Sequence, residues 1–223
     1  MICWSCQKQA GTAPLCAACG ALQPPDDAAD LFAVLGQPAR HAIDLPATEA
    51  AYKELSRQVH PDRFATADPR ARRASLGRTV QLNLAWQTLR DPIKRAEYLL
   101  LRAGIDVAEK KPSSGNSDKG THKVAAPPAF LLEILELNDE LNAARMEGDT
   151  VKVAFMAEEM RDRARASLNE IAAALDSGVP GQMEEAARSL VALRYYQRFI
   201  DEAARHESGK VSGGGDVGGG GAG

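Results

Sequence analysis

A loop between two predicted helices limits the folds that this chain can adopt. An apolar stripe at helical spacing predicts the first helix, formed by Tyr52, Leu55 and Val59. Because proline disfavours helical geometry at the preceding residue, this helix is expected to stop near His60. Asp68-Pro69 is typical of a second helix start, and the stripe of that helix consists of Leu82, Ala85, Trp86 and Leu89. The pattern predicts an antiparallel helical hairpin with His60-Pro61-Asp62 at its tip.

The cysteines form a compact motif at the start of the chain. Two Cys-x-x-Cys pairs are separated by nine residues, and the four residues are Cys3, Cys6, Cys16 and Cys19. This spacing predicts a structural zinc site, because two facing turns can arrange four thiolates as a tetrahedron. Gly11 and Gly20 suit the turns that this requires. A redox-active pair, a disulfide-stapled loop and a nucleic-acid-binding finger are the alternatives, and Lys8 is the only basic residue in the module.

Charge and hydropathy narrow the classes of partner. The formal net charge is −3 and the sequence pI is about 5.9, so the chain as a whole is not expected to bind nucleic acid. No apolar run approaches the roughly 20 residues of a membrane span. Cys3 leaves no room for a presequence, which favours the bacterial cytoplasm over the mitochondrial matrix.

Changes in composition divide the chain into five segments, and helical periodicity dominates two of them. We expect an all-α protein preceded by the small cysteine module. The expected segments are the tetracysteine module (1–24), a helical-hairpin domain (26–104), a flexible linker (105–127), an antiparallel three-helix bundle (128–206) and a disordered glycine-rich tail (207–223).

Several motifs together resemble one family of co-chaperones. The hairpin resembles a J-domain, and four runs narrow the resemblance to the HscB family (Jac-type in yeast), over about residues 30 to 205. These runs are Leu35–Pro38, His60–Phe64, Asn83–Pro92 and Arg95–Leu100. Some members of that family also carry an N-terminal tetracysteine module. His41 and Leu31 depart from the family pattern, at positions where large apolar or aromatic side chains are common.

The resemblance implies a contact with an HscA- or DnaK-class ATPase chaperone. In J-domains, a basic helix face and the adjacent loop meet the ATPase and stimulate ATP hydrolysis. Lys53 and Arg57 are four residues apart and share one predicted helix face. The residues that take this role by resemblance are Lys53, Arg57, His60, Pro61, Asp62 and Arg63. A solvated polar face is the alternative interpretation.

A second surface is expected on the three-helix bundle. Phe130, Ile134, Leu137 and Leu141 form one narrow stripe, which leaves three further leucines rotated away from the predicted core. These leucines are either part of a wide core or an exposed docking patch. In the HscB family the corresponding region binds the IscU-type iron–sulfur scaffold protein. The residues that take this role by resemblance are Leu131, Leu132, Leu135, Glu136, Asp139 and Tyr195.

The resemblance therefore predicts a co-chaperone of iron–sulfur cluster assembly with structural zinc. A general DnaJ-like co-chaperone for unfolded clients is the alternative, although a Gly/Phe-rich region and client-binding β-domains are missing from the sequence. His60 oriented by Asp62 can also be interpreted as a general base. Because no nucleophile, catalytic metal ligand or phosphate loop accompanies this pair, we do not expect an enzyme.

Overall fold

The computed structural model describes residues 1–11, 13–107 and 122–209, which form mainly helices, as predicted. The chain divides into two compact units, Met1–Leu99 and Leu100–Gly223. The α-helices are α1 (Leu31–Val34), α2 (Leu45–Val59), α3 (Pro69–Leu89), α4 (Pro92–Arg102), α5 (Pro128–Glu147), α6 (Thr150–Ser177) and α7 (Pro180–Gly209). A 3₁₀ helix, Pro61–Phe64, lies between α2 and α3.

The hairpin of α2 and α3 forms as the sequence predicts. Asp44 caps α2 by accepting the Ala47 N–H, and α2 ends at Val59, so the predicted stop at His60 is confirmed. Asp68 caps α3 by accepting the Arg70 N–H at 2.7 Å. The predicted stripes meet in one core, whose most buried members include Phe32, Leu35, Val59, Leu82, Ala85 and Leu89. Tyr52 and Trp86 stack beside this core with ring centroids 5.4 Å apart.

The tetracysteine module packs against α3. Leu22, which directly follows the module's second turn, is 1% exposed and belongs to the same core as Val59 and Leu89. Arg78 of α3 donates through Nε to the Gln23 carbonyl at 3.1 Å. Gly77 allows the close approach, since a Cβ there would lie 2.9 Å from the Pro25 ring. The first 25 residues therefore form part of the first compact unit.

The two positions that depart from the family pattern are accommodated in the same unit. His41 is 5% exposed, and its Nε2 lies 3.0 Å from the Pro92 carbonyl oxygen. Leu31 packs at the edge of the core, and its backbone N–H donates to the Tyr98 hydroxyl at 3.0 Å. The Pro92 carbonyl thus gives the buried imidazole a hydrogen-bond partner.

Two short strands lie between α4 and α5 along the chain. Asp91 caps α4 by accepting the Ile93 N–H, and Gly104 follows the helix with a φ of 81°. Strand β1 (Ile105–Asp106) then pairs in parallel with β2 (His122–Lys123), a pairing that the sequence did not indicate. Most of the predicted flexible linker, 105–127, lies outside the described residues.

The helices α5, α6 and α7 form the second unit, and their ends follow the sequence signals. Gly148 ends α5 with a left-handed φ of 75°, and Asp149 caps α6 by accepting the Lys152 N–H. α7 continues to Gly209, slightly beyond the predicted end near His206. The remaining predicted tail lies outside the described residues. No described helix is both long enough and apolar enough to cross a membrane.

The core of the bundle agrees with prediction on α5 and differs on α7. Ile134 and Leu141 are buried on α5, as their stripe predicts. For α7, helical spacing predicts a core stripe of Ser189, Leu193, Tyr196, Ile200 and Ala203. Leu193 and Ala203 are buried as predicted, but Phe199, beside that stripe, is only 1% exposed. The cluster around it consists of Leu141, Ala144, Val153, Met156, Ala157, Met160 and Ala203. α7 is therefore buried over a wider face than the stripe indicated.

Candidate functional site

The His60 loop is exposed and held in a defined conformation. His60 leaves the helix with φ −53° and ψ 131°, which turns the chain before Pro61 starts the 3₁₀ helix. The His60 and Asp62 side chains are 57% and 90% exposed. His60 Nδ1 accepts the Asp62 N–H at 3.3 Å, whereas the Asp62 carboxylate lies 3.6 Å from the same nitrogen. Because the second distance exceeds hydrogen-bond range, both side chains remain available to a partner.

Contacts beneath the loop fix where it begins. The Ser75 hydroxyl of α3 donates to the Val59 carbonyl at 2.6 Å, and Ser75 is fully buried. Val59 is the last residue of α2, so its carbonyl has no helical partner of its own. On the solvent side, Arg63 donates to the Arg57 carbonyl at 3.2 Å. These bonds tie the end of α2 to both α3 and the 3₁₀ helix.

The predicted basic face contains acidic side chains as well. Lys53 Nζ lies 2.7 Å from a Glu49 carboxylate oxygen, and Arg57 donates to Glu54 at 2.6 Å. Hydrogen bonds from Gln58 and Arg57 lower the pKa of Glu54. All four ion-pair members are substantially exposed, so the pairs are weak and can exchange with a partner's carboxylates. The cationic surface is therefore less positive than the sequence suggests.

On the bundle, the three leucines of the predicted docking patch are exposed. Leu131, Leu132 and Leu135 are 39%, 61% and 57% exposed, so they do not form part of a wide core. Glu136 and Asp139 are exposed on the same helix. The patch has the apolar centre and acidic neighbours expected of a protein-binding surface.

Tyr195 is anchored from α7 by aromatic contacts. Its ring lies 5.7 Å from that of Phe130 in an edge-to-face arrangement, and Arg198 lies over its face at 5.5 Å. Phe130 also contacts Tyr196 with ring centroids 5.8 Å apart. Phe130, which the sequence assigned to the core stripe, thus connects that stripe to the half-buried Tyr195.

The four cysteine sulfurs converge on one point. Their Sγ atoms all lie within 4.8 Å of one another, and the Cys3–Cys19 and Cys6–Cys16 distances are 3.7 and 3.8 Å. A tetrahedron with metal–sulfur bonds of about 2.3 Å has edges of about 3.8 Å. The distances are far beyond the roughly 2.05 Å of a disulfide bond. The geometry therefore fits a four-thiolate metal site and not a disulfide-stapled loop.

Hydrogen bonds around the sulfurs favour the ionised form of Cys3. The Cys6 N–H, supported by the Ser5 N–H, lowers the pKa of Cys3 to about 6. The pKa of Cys6 rises to about 11, because burial and the neighbouring thiols outweigh the lowering by the Lys8 N–H. Four thiolates repel one another without a cation, and a divalent metal ion would remove that repulsion.

Two residues that the sequence reasoning missed support these sites. Gln23 is 1% exposed, and its Nε2 donates to the Cys3 sulfur at 3.3 Å and to the Ala21 carbonyl at 2.8 Å. Ser75 fixes the start of the His60 loop through its hydrogen bond to the Val59 carbonyl. Both are polar residues that are buried in the core. A serine on the apolar face of the second predicted helix is the sequence signal that could have identified Ser75, because a buried hydroxyl needs a hydrogen-bond partner.

Comparison with known families and sequences gives a consistent result. Residues 126–204 match the model of the "HSCB C-terminal oligomerisation domain". A "Co-chaperone protein HscB homolog" from Burkholderia thailandensis is 36% identical over 160 residues, which cover 72% of this chain and 85% of that protein. A protein of the same description from Burkholderia mallei is 38% identical over 162 residues, which cover 73% and 85%.

Solved structures agree in fold. The crystal structure of the human co-chaperone protein HscB matches with a TM-score of 0.74 and 24% identity, covering 93% of this chain and 98% of that one. The chaperone HscB from Vibrio cholerae matches with a TM-score of 0.66 and 26% identity, covering 82% and 99%. The human match extends over most of the length of both chains.

Proposed function

Because this chain belongs to the HscB family of co-chaperones, we propose that it acts in iron–sulfur cluster assembly. It binds an IscU-type scaffold protein, delivers it to an HscA- or DnaK-class chaperone and stimulates ATP hydrolysis by that chaperone. The exposed His60-Pro61-Asp62 loop at the end of a rigid helical hairpin is the observation that carries this proposal.

The loop would act by contact and would perform no chemistry of its own. Exposed Lys53, Arg57 and Arg63 steer the encounter with an acidic surface, and the loop then sets the register. The intrahelical glutamates compete for the same cations, so the steering depends on salt concentration. Buried contacts of His60 and Asp62 with the ATPase would provide the specificity.

The patch of Leu131, Leu132 and Leu135 would hold the scaffold. Glu136 and Asp139 beside it select a partner with basic residues around an apolar centre, and Tyr195 adds an aromatic contact. Since both partners bind one chain, their encounter becomes intramolecular, which raises their effective concentration.

The four cysteines would hold zinc in a structural role. Tetrahedral four-thiolate sites are typical of Zn²⁺, which has no redox chemistry, and such a closed site offers no position for a substrate. Cys3, Cys6, Cys16 and Cys19 are the ligands, and Gln23 orients Cys3 from outside the ligand set.

The loop is tested by His60→Gln. We expect this variant to lose stimulation of the chaperone's ATPase, because Gln cannot reproduce the imidazole contacts in an otherwise intact loop. Thermal stability and scaffold binding should stay unchanged, since the side chain is mostly exposed and the scaffold patch is elsewhere. Steady-state ATP hydrolysis with and without scaffold measures the effect. Full stimulation by the variant would refute the assignment of the loop.

The patch is tested by alanine at Leu131, Leu132 and Leu135 together. We expect scaffold affinity to fall by tenfold or more, because burying a leucine contributes about 1.5–3 kcal/mol. Titration calorimetry measures this, and thermal stability should change little. Alanine at Met146, Val151 and Phe155 is the matched control, because these side chains of the same bundle are also exposed. A collapse of stability in the first variant would assign the leucines to the core instead.

A further inference from the structure

A second apolar surface lies on α3. Leu76, Val80 and Leu84 follow one another at intervals of four residues and therefore share one helix face. They are 58%, 68% and 54% exposed. Isolated exposed aliphatic residues are ordinary, but three in a continuous row form a patch of the kind that marks an interaction site.

This row lies on the side of α3 that the fold does not use. The opposite side faces the core and consists of Ala71, Ala74, Ser75, Leu82, Ala85 and Leu89. Because that side is fixed by packing, α3 presents Leu76, Val80 and Leu84 on a rigid support. None of the residues assigned to the chaperone or scaffold contacts belongs to this row.

A cluster of arginines flanks the row at the start of α3. Arg70, Arg72 and Arg73 are exposed, and in the described part of the chain no ion pair involves them. They differ in this from Lys53 and Arg57, which already bind glutamates. Successive side chains are rotated by roughly 100° around the helix axis, so the side chains of Arg72 and Arg73 project on either side of that of Leu76.

The tetracysteine module extends the same surface. Arg70 and Arg73 line a groove whose other wall consists of Trp4, Pro24 and Pro25. The row, the arginines and this groove together are termed the α3 outer surface. It combines an apolar stripe with an unneutralised cationic end.

We propose that the α3 outer surface binds an acidic amphipathic helix of a partner protein. The partner's apolar side chains would pack between Leu76, Val80 and Leu84, and its carboxylates would pair with the free arginines. Arginine suits this role because its planar guanidinium can bind a carboxylate through two hydrogen bonds. The inference does not depend on the proposed ATPase contact or scaffold contact.

Charge distinguishes this partner from other occupants. If α3 paired with α3 of a second copy, the arginines would meet no carboxylate there, because α3 contains neither Asp nor Glu. The unpaired arginines therefore favour an acidic partner over self-pairing. An anionic membrane is disfavoured by the overall formal net charge of −3 and by a patch of only three aliphatic side chains.

The proposal is tested with the full chain and a synthetic fluorescent peptide. The peptide is helical, carries three leucines four residues apart and has glutamates at one end; a second peptide replaces these glutamates with lysines. We expect fluorescence anisotropy to show binding of the acidic peptide that weakens with salt, and about tenfold weaker binding of the basic one. Methyl NMR shifts should localise to Leu76, Val80 and Leu84.

Two variants and a control make the result specific. One variant combines Leu76→Gln, Val80→Gln and Leu84→Gln, and the other combines Arg70→Glu, Arg72→Glu and Arg73→Glu. Each should weaken binding of the acidic peptide about tenfold. Met146→Gln, Val151→Gln and Phe155→Gln together should not, because these exposed apolar side chains lie in a segment that carries acidic Glu147 and Asp149. His60→Gln should also bind the peptide normally, which separates this surface from the loop.

Three outcomes would overturn the proposal. One is equal affinity for the acidic and the basic peptide, or a loss of binding in the Met146, Val151 and Phe155 control as large as that in the Leu76, Val80 and Leu84 variant. Another is concentration-dependent self-association in sedimentation experiments that disappears in the glutamine variant, which would identify a second copy as the occupant. The third is failure to bind the acidic peptide together with variant-sensitive binding to vesicles that contain phosphatidylserine.

Discussion

At the scale of single residues, a buried hydroxyl determines where the His60 loop starts. Ser75 donates to the last carbonyl of α2, and this bond is shielded from solvent because Val59 and Ser75 are both fully buried. An unsatisfied buried carbonyl costs about 1–3 kcal/mol. The position of the loop proposed to bind the chaperone therefore depends on a residue that would not itself touch the partner.

We expect Ser75→Ala to lower the free energy of unfolding by about 1–2 kcal/mol. Urea denaturation measures the change, and stimulation of the ATPase should fall as the loop loses its anchor. Thr79→Ala is the matched control: its hydroxyl donates to the Ser75 carbonyl within the same helix, a bond that adds little to stability. Equal effects of the two substitutions would contradict this account.

At the scale of elements, one ion pair ties α5 to α7. Arg145 donates through Nη1 to the Glu202 carboxylate at 2.7 Å and through Nη2 to the Glu202 carbonyl. The Arg145 side chain is only 14% exposed, whereas Glu202 is 39% exposed. The hydrogen bond from Arg145 lowers the pKa of Glu202 below its ordinary value. Ionised Glu202 therefore stabilises the folded bundle.

A lowered pKa in the folded state implies a definite pH dependence. The stabilisation by Glu202 is fully present above the pKa of an unfolded glutamate, about 4.3, and disappears as the pH falls through the lower folded value. In urea denaturation, Glu202→Gln should be less stable than the wild type at pH 7, and the difference should vanish in acid. Glu185→Gln, at an exposed glutamate of the same helix, should show no such difference. A difference in unfolding free energy between the wild type and Glu202→Gln that stays constant at every pH would exclude the ionic contribution.

At the scale of the whole molecule, the cysteine module and the helical hairpin contribute to one core. Leu22 follows the turn that carries Cys16 and Cys19, and it is buried with Val59 and Leu89 of the hairpin. The turns themselves have little apolar core beyond Cys3, Ala10 and Cys16. A metal that orders the cysteines would therefore stabilise the hairpin as well, because it holds Leu22 in place.

Chelation of the metal should consequently destabilise the first unit and not only its first residues. We expect its melting temperature to fall by about 10 °C or more, since a metal at 100 times its dissociation constant contributes about 2.7 kcal/mol. Calorimetry with a chelator, together with metal analysis by mass spectrometry, measures this. A Cys6→Ser, Cys19→Ser variant should have a lowered melting temperature that the chelator does not change further. An unchanged melting temperature of the wild type in chelator would contradict the coupling.

The sequence by itself determined the local structure of this protein. Helix ends were predictable because Asp68 and Asp149 cap them through neighbouring backbone groups, and Gly148 adopts the left-handed conformation that few other residues tolerate. The His60 turn and the cysteine cluster followed from short spacings for the same reason. Such features depend on interactions between residues that are close along the chain.

Only the tertiary structure decided which apolar residues are covered. Leu132 and Phe199 both lie in helices with apolar stripes, yet one is 61% exposed and the other 1%. Helical periodicity gives the direction of a side chain but not the element that packs against it. The Ser75–Val59 bond and the burial of Leu22 likewise required neighbours that are distant in sequence. These non-local contacts determine which surfaces remain open to partners.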